Sequence, residues 1–240
     1  MNLRFQYLFA KHYGLRAIKR LITYVLVSLV MPISFLFIFS LIAPHYLEFA
    51  ILGGLLAVTV SSALVILFDS AILRLERKWQ DLFIATKIGS LDYMLGMMLT
   101  ELIFGAPGII LYLIIGLAYH IYLSVSLFLL TLCIVLLLYT AVAALGFILS
   151  FLPRHTRAVW SYSGILTAIM TVFAPLYYPY ILLPKPLLYA FLIFPPASAS
   201  VLLQGAYGMA PEFQPAAAIF IAEVIICFAL GLYFGGRRVD

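Results

Sequence analysis

The chain has 240 residues, a mean hydropathy of +1.17, 66% hydrophobic residues and only 10% charged ones. A soluble domain runs nearer roughly 45–50% apolar and about 25% charged, and a single core of this length cannot hide so much apolar surface from water. This composition excludes a soluble enzyme, a disordered chain and a disulfide scaffold. It fits a polytopic membrane protein with short loops.

The formal charge of +5 suggests a nucleic-acid partner only until the charges are placed. They fall at the ends of apolar runs, which read as 21–43, 50–73, 93–118, 122–150, 158–177 and 215–235. Each run approaches the about 20 apolar residues that a helical span needs. Arg4, Lys11, Arg16, Lys19 and Arg20 precede the first run, and Arg74, Arg77, Lys78 and Lys87 lie between the second and third. Arg154 and Arg157 lie between the fourth and fifth, and Arg237 and Arg238 follow the sixth. Of the 14 basic residues only Lys185 falls on the opposite side. The positive-inside rule then places both termini in the cytoplasm of a multi-pass cell-membrane protein with six spans. No nucleic-acid partner is expected. The first run is too long for a signal-peptide core, and no A-x-A site follows it.

Residues 4–20 read as an amphipathic helix. Phe5, Leu8, Phe9, Leu15 and Ile18 supply an apolar side, and Arg16, Lys19 and Arg20 a cationic one. Such a helix lies in the headgroup plane with its basic side toward anionic lipid; the alternative is a basic tail that only fixes orientation. In 74–92, Leu75, Trp79, Leu82 and Phe83 recur at helical spacing among Arg74, Glu76, Arg77, Lys78, Gln80 and Asp81. That pattern suits either a helix resting on the membrane or one that docks a soluble partner.

Three acids interrupt the apolar runs. Asp69 is close enough to the end of its run to reach the interface or Arg74. Glu101 and Glu223 lie deeper. A charged acid at mid-bilayer costs roughly 2.5–3.5 kcal/mol on insertion scales, so each should face protein or water. They read either as the lining of a translocation path or as interhelical hydrogen-bonding groups. Gly231 with Gly235, and Gly164 with Ala168, are small-residue pairs that suit close helix contacts. Cys133 and Cys227 read as small packing residues without a disulfide.

Between the fifth and sixth runs, 178–214 is rich in proline: Pro179, Pro184, Pro186, Pro195, Pro196 and Pro211. Its apolar stretch Leu187–Phe194 is about 12 Å long as a helix, too short to span. Paired short helices that enter the outer leaflet and return fit this length. So does an interfacial loop anchored by Tyr178, Tyr180, Tyr189 and Tyr207.

The chain has no G-x-x-x-x-G-K-[ST] phosphate loop and no H-E-x-x-H, and His12, His45, His120 and His155 are scattered. No catalytic, cofactor-binding or metal-binding residue is predicted, and the chain is not expected to be an enzyme.

The segment R-L-E-R-K-W-Q-D-L-F-I-A-T-K-I-G-S-L-D-Y-M-L-G, residues 74–96, resembles the cytoplasmic loop of ABC-2 type transporter permeases. The resemblance rests on Glu76–Arg77, Leu82 and Tyr93–Leu95–Gly96. Pro175-Leu-Tyr-Tyr-Pro179, Leu183–Pro184 and Pro195–Pro196 are similar to that family's short outer helices before the last span. The family's usual arginine there is replaced near Gln204–Gly205. The resemblance implies one all-α transmembrane domain over 1–240, with an interfacial helix at 4–20, a coupling helix at 74–88 and a re-entrant outer segment at 178–214. It implies an exporter permease that works as a dimer of permease chains by alternating access, with ATP and magnesium on a separate ABC ATP-binding subunit. Arg74, Glu76, Arg77, Lys78, Trp79, Asp81, Leu82 and Phe83 would contact that subunit. The rival reading is a secondary transporter coupled to ions through Glu101 and Glu223, although the two halves of the chain show no convincing internal repeat.

Topology is directly testable. Single cysteines at Gln80 and Lys185, in a background without Cys133 and Cys227, should react with an impermeant thiol reagent from opposite sides of the membrane. Reaction of both from one side would overturn the six-span reading.

Overall fold

The computed structural model describes residues 3–15, 22–76, 88–122 and 124–236. Among these the fold is entirely helical. In chain order the helices are α1 (Leu3–Phe9), continued by a π turn over Ala10–Leu15, α2 (Ile22–Ile42), α3 (Leu47–Leu75), α4 (Ser90–Ala118) and α5 (Val125–Leu149). There follow α6 (Thr156–Ala168), continued by a π turn over Ile169–Phe173, then α7 (Lys185–Phe191), α8 (Pro195–Ala206) and α9 (Ala216–Gly236). Among the described residues, four helices are long and apolar enough to cross a membrane: α3, α4, α5 and α9. This is the architecture of a multi-pass α-helical membrane protein. Helix α2 is 21 residues long, about 31 Å, and its described apolar stretch is Pro32–Ile42.

Local chemistry sets the helix ends. Ser124 caps α5 by accepting the Leu127 N–H at 3.2 Å. Pro195 opens α8, where its missing N–H costs nothing. Gly208, at φ +67°, closes it. The run expected over 158–177 stops earlier: α6 and its π turn end at Phe173. Ala174 is extended because Pro175 follows it, and a residue before proline is pushed out of the helical region.

Helix α3 is the mast of the bundle. In its apolar window 83% of residues are buried, against 17% for α9, and every residue from Phe49 to Val60 is buried. Glycines make that possible. A Cβ on Gly105 of α4 would lie 2.4 Å from Ser62 Oγ of α3, and one on Gly108 2.7 Å from Val58 Cγ1. On α3 itself, a Cβ on Gly54 would meet the Tyr112 ring of α4 at 2.2 Å. Pairs 54/112, 58/108 and 62/105 descend in antiparallel register, a continuous α3–α4 seam. About 100° around α3 from Gly54, Gly53 admits the Leu176 carbonyl, which a Cβ would meet at 2.2 Å.

The small-residue pairs divide. Gly231 packs closely, with Met94 Sδ at 3.2 Å and Ala144 Cβ at 3.3 Å from its ideal Cβ. Gly164 has nothing within 4 Å.

In the first segment, the face that packs on α4 is Gln6, Phe9, Ala10 and Gly14, with Phe9 against Gly96 and edge-on to Tyr93. Leu8, expected on the apolar side with Phe5 and Phe9, is 41% exposed. Gln6 turns inward instead, where its Nε2 donates to Asp92 of α4 at 3.0 Å. Arg16, Lys19 and Arg20 lie outside the described residues.

Overpacking a core typically costs about 1–3 kcal/mol. Gly53→Ala collides with a backbone carbonyl that cannot rotate away, so its thermal midpoint in detergent should fall by several degrees. Gly164→Ala, in open space, should equal or exceed the parent.

Candidate functional site

Three places carry the polar chemistry of an otherwise apolar molecule. The first is the connection from α3 to α4. These helices run antiparallel and in contact, so the connection emerges at one end of the bundle, where Glu76 and Gly89 are exposed. Of the residues expected to contact a partner, Arg74 and Glu76 are described. Arg77, Lys78, Trp79, Asp81, Leu82 and Phe83 lie outside the described residues. Arg74 is engaged within the chain: Nη2 donates to the Ser150 carbonyl at 2.7 Å and to the Pro153 carbonyl at 2.9 Å, with its guanidinium over the Phe151 ring. Ser150 is the C-cap of α5, where unsatisfied carbonyls and the helix dipole favour a cation. Arg74 thus fastens the end of α3 to the α5–α6 turn.

The second place is the interior around Glu101. It is 1% exposed and sits on α4 near Asp69 of α3. Tyr139 of α5 adjoins it, but its hydroxyl is spent on the Met98 carbonyl at 2.6 Å. Within this chain Glu101 is therefore enclosed by protein. Glu223 of α9 is half-buried and accepts a hydrogen bond from Ser198 of α8 through Oε2, while its Oε1 has no partner. The two acids that sequence reading singled out are thus in different places, one in the α3–α4 seam and one between α8 and α9. Beside the first, a lateral groove of about 410 Å³ opens between Gln6, Leu95, Met98, Tyr139, Thr140 and Phe228.

The third place is the proline-rich segment. Helices α7 and α8 meet at 117°, and a single side chain, Gln204, ties the preceding strand of backbone to them. Its Nε2 donates to the Pro175 carbonyl at 2.8 Å and the Tyr178 carbonyl at 3.1 Å, and its Oε1 accepts the Tyr180 N–H at 2.9 Å. Ser200 adds a bond to Pro175 at 2.6 Å. Gln204 is 3% exposed, so these are bonds that water cannot replace. Tyr207, an anchor in the interfacial-loop alternative, bonds Thr131 of α5 at 2.7 Å.

Sequence reading missed Asp69 as the neighbour of Glu101, Ser198 as the partner of Glu223, and Gln204 as a staple. For Gln204 a signal existed: a glutamine in an apolar helix, one turn after Ser200 and beside prolines whose segments leave carbonyls unpaired. Among the described residues there is no group of three or more His, Cys, Asp or Glu side chains that could hold a metal ion. Comparison of the chain with protein-family models, characterised proteins and solved structures finds no match.

Leaving a buried donor or acceptor unpaired costs about 1–3 kcal/mol. Gln204→Leu strands the Tyr180 N–H and two carbonyls at once. It should lower the thermal midpoint by more than Gln204→Glu, which keeps the acceptor for Tyr180. Equal midpoints for the two variants would mean that Gln204 is not the staple.

Proposed function

We propose that this chain is the permease subunit of an ATP-driven ABC transporter of the ABC-2 type, an exporter that spans the cell membrane six times. The reading is carried by the 74–96 segment, where an apolar helical stripe follows the Glu76–Arg77 pair and leads into Tyr93–Leu95–Gly96. Its position in the fold supports this role. It joins two antiparallel helices that share a close, glycine-lined seam, and its described ends are exposed. The bent α7–α8 pair before the last apolar helix suits the re-entrant outer segment.

In this reading, residues 74–88 form the coupling helix, with Trp79, Leu82 and Phe83 seated in a groove of the ATP-binding subunit. Glu76, Arg77, Lys78 and Asp81 make polar contacts at the rim. ATP and magnesium reside on that subunit, and two permease chains form the pathway. A thrust on the coupling helix enters α3 and α4 through the seam. Through Arg74 it also reaches the α5–α6 turn. The connection is thereby attached to most of the bundle, which is what alternating access driven from outside the membrane requires.

A buried aromatic at such a contact is worth about 2 kcal/mol or more, roughly thirtyfold in affinity. Trp79→Ala should therefore lose co-purification with the ABC ATP-binding subunit while still inserting in the membrane. Retained complex and retained ATP-dependent transport in that variant would overturn the coupling-helix assignment. Transport that needs an ion gradient and no ATP would favour the secondary-transporter reading.

A further inference from the structure

The lateral groove beside Gln6 lies at the depth of the hydrocarbon, because three of its walls are α4, α5 and α9, each long and apolar enough to cross a membrane. Its volume of about 410 Å³ falls in the range of ligand sites, about 300–1,000 Å³. The α4 wall is the stripe Leu95, Met98, Leu99 and Leu102, at helical spacing. From Leu95 to Leu102 is about 10 Å along the helix axis, and half of a bilayer core is about 15 Å. The groove is therefore confined to one leaflet, at the end of the bundle where α4 begins. Its length suits a hydrocarbon chain that reaches inward from the headgroup level.

The polar side chains in its walls keep that character. Tyr139 donates to the Met98 carbonyl at 2.6 Å, Thr140 to the Leu137 carbonyl at 2.8 Å, and Gln6 Nε2 to Asp92 at 3.0 Å. Each is turned to protein, so an occupant meets a wall of hydrocarbon. The rim differs. Gln6 belongs to the first segment, which runs along the beginning of α4: Gln6 meets Asp92, Phe9 meets Gly96, and Gly14 meets Thr100. The outer face of that segment is exposed and carries Arg4, Tyr7 and Lys11. Tyr7 follows Gln6 by about 100° around α1, and Lys11 Nζ lies 5.8 Å over the Tyr7 ring. An apolar slot with an aromatic ring and two cations near its mouth is complementary to an amphiphile with a hydrocarbon tail and an anionic head.

We propose that this groove is a binding site for an anionic phospholipid. One acyl chain lies between α4, α5 and α9, and the phosphate is held at the rim by Arg4 and Lys11. The chain covers Leu99 and Leu136, which the protein alone leaves 41% and 46% exposed. Head and tail engage different elements, so a bound lipid ties the first segment to three membrane-crossing helices. The inference needs only that the chain spans a membrane, and it stands whether or not the permease reading above is correct.

The test is native mass spectrometry of the full chain, delipidated in detergent and titrated with phosphatidylglycerol and phosphatidylcholine of identical acyl chains. The parent should bind phosphatidylglycerol more tightly, by about fivefold for each cation engaged. Lys11→Gln and Arg4→Gln should each lower that affinity by about the same factor and leave phosphatidylcholine binding unchanged. Leu99→Trp fills the groove from its exposed edge, and Thr140→Phe fills it from α5; each should weaken binding of both lipids. Lysophosphatidylglycerol, which has one chain, should bind about as tightly as the two-chain lipid. Lys185→Gln, on α7, serves as the control and should match the parent. Equal affinity of the parent for the two lipids, parent-like binding by both groove-filling variants, or an equal loss in Lys185→Gln would each overturn the proposal. So would a groove-filling variant that changes the oligomeric state and not lipid binding, which would give the groove to a second copy of the chain.

Discussion

The rest of the structure depends on how closely other backbone can approach α3. Inside a membrane there is little hydrophobic gain from bringing two apolar helices together, because lipid is as apolar as leucine; contact and fit must supply the association. Helix α3 obtains that fit with glycine on whichever side needs it. Gly105 and Gly108 belong to the neighbour, Gly54 to α3 itself, and Gly53 serves an approach by irregular backbone. The last is the most demanding. Non-helical backbone at this depth must be enclosed by protein, and the 174–179 segment is enclosed by α3 on one side and by Gln204 and Ser200 on the other.

That economy extends to polar groups. Several carbonyls released by breaks in the helices are matched to a long donor. Arg74 serves the end of α5 and the turn after it; Gln204 serves the strand before α7. Both donors are fixed in geometry and carry several N–H groups, so one side chain does the work of several caps.

Much of the helical layout was legible in the residues. Apolar runs at 21–43, 50–73, 93–118, 122–150 and 215–235 reappear as α2, α3, α4, α5 and α9, because a long unbroken apolar run has few options other than helix. The 158–177 run was read too long: its hydropathy continues through Pro175, but the backbone before a proline does not. The site was far less legible. Glu101 stood out by its cost, yet its neighbour did not, since 32 positions separate Asp69 from Glu101 and only the antiparallel register joins them. Arg74 was read as part of a partner-facing surface from its place in a charged cluster. Its guanidinium serves carbonyls about 76 positions away, a destination that no local pattern encodes. The first segment misled for a different reason: apolar character assigns Leu8 inward, while the buried face takes the polar Gln6, which has Asp92 of α4 to bond.

These points converge on one end of the bundle. Small residues close the α3–α4 seam over its middle by shape alone. Near the end from which the connection departs, polar groups take over: Arg74 lies about one turn beyond Asp69 on the same helix and binds the carbonyls of the α5–α6 turn. A displacement of the connection therefore meets that turn as well as the two helices it joins.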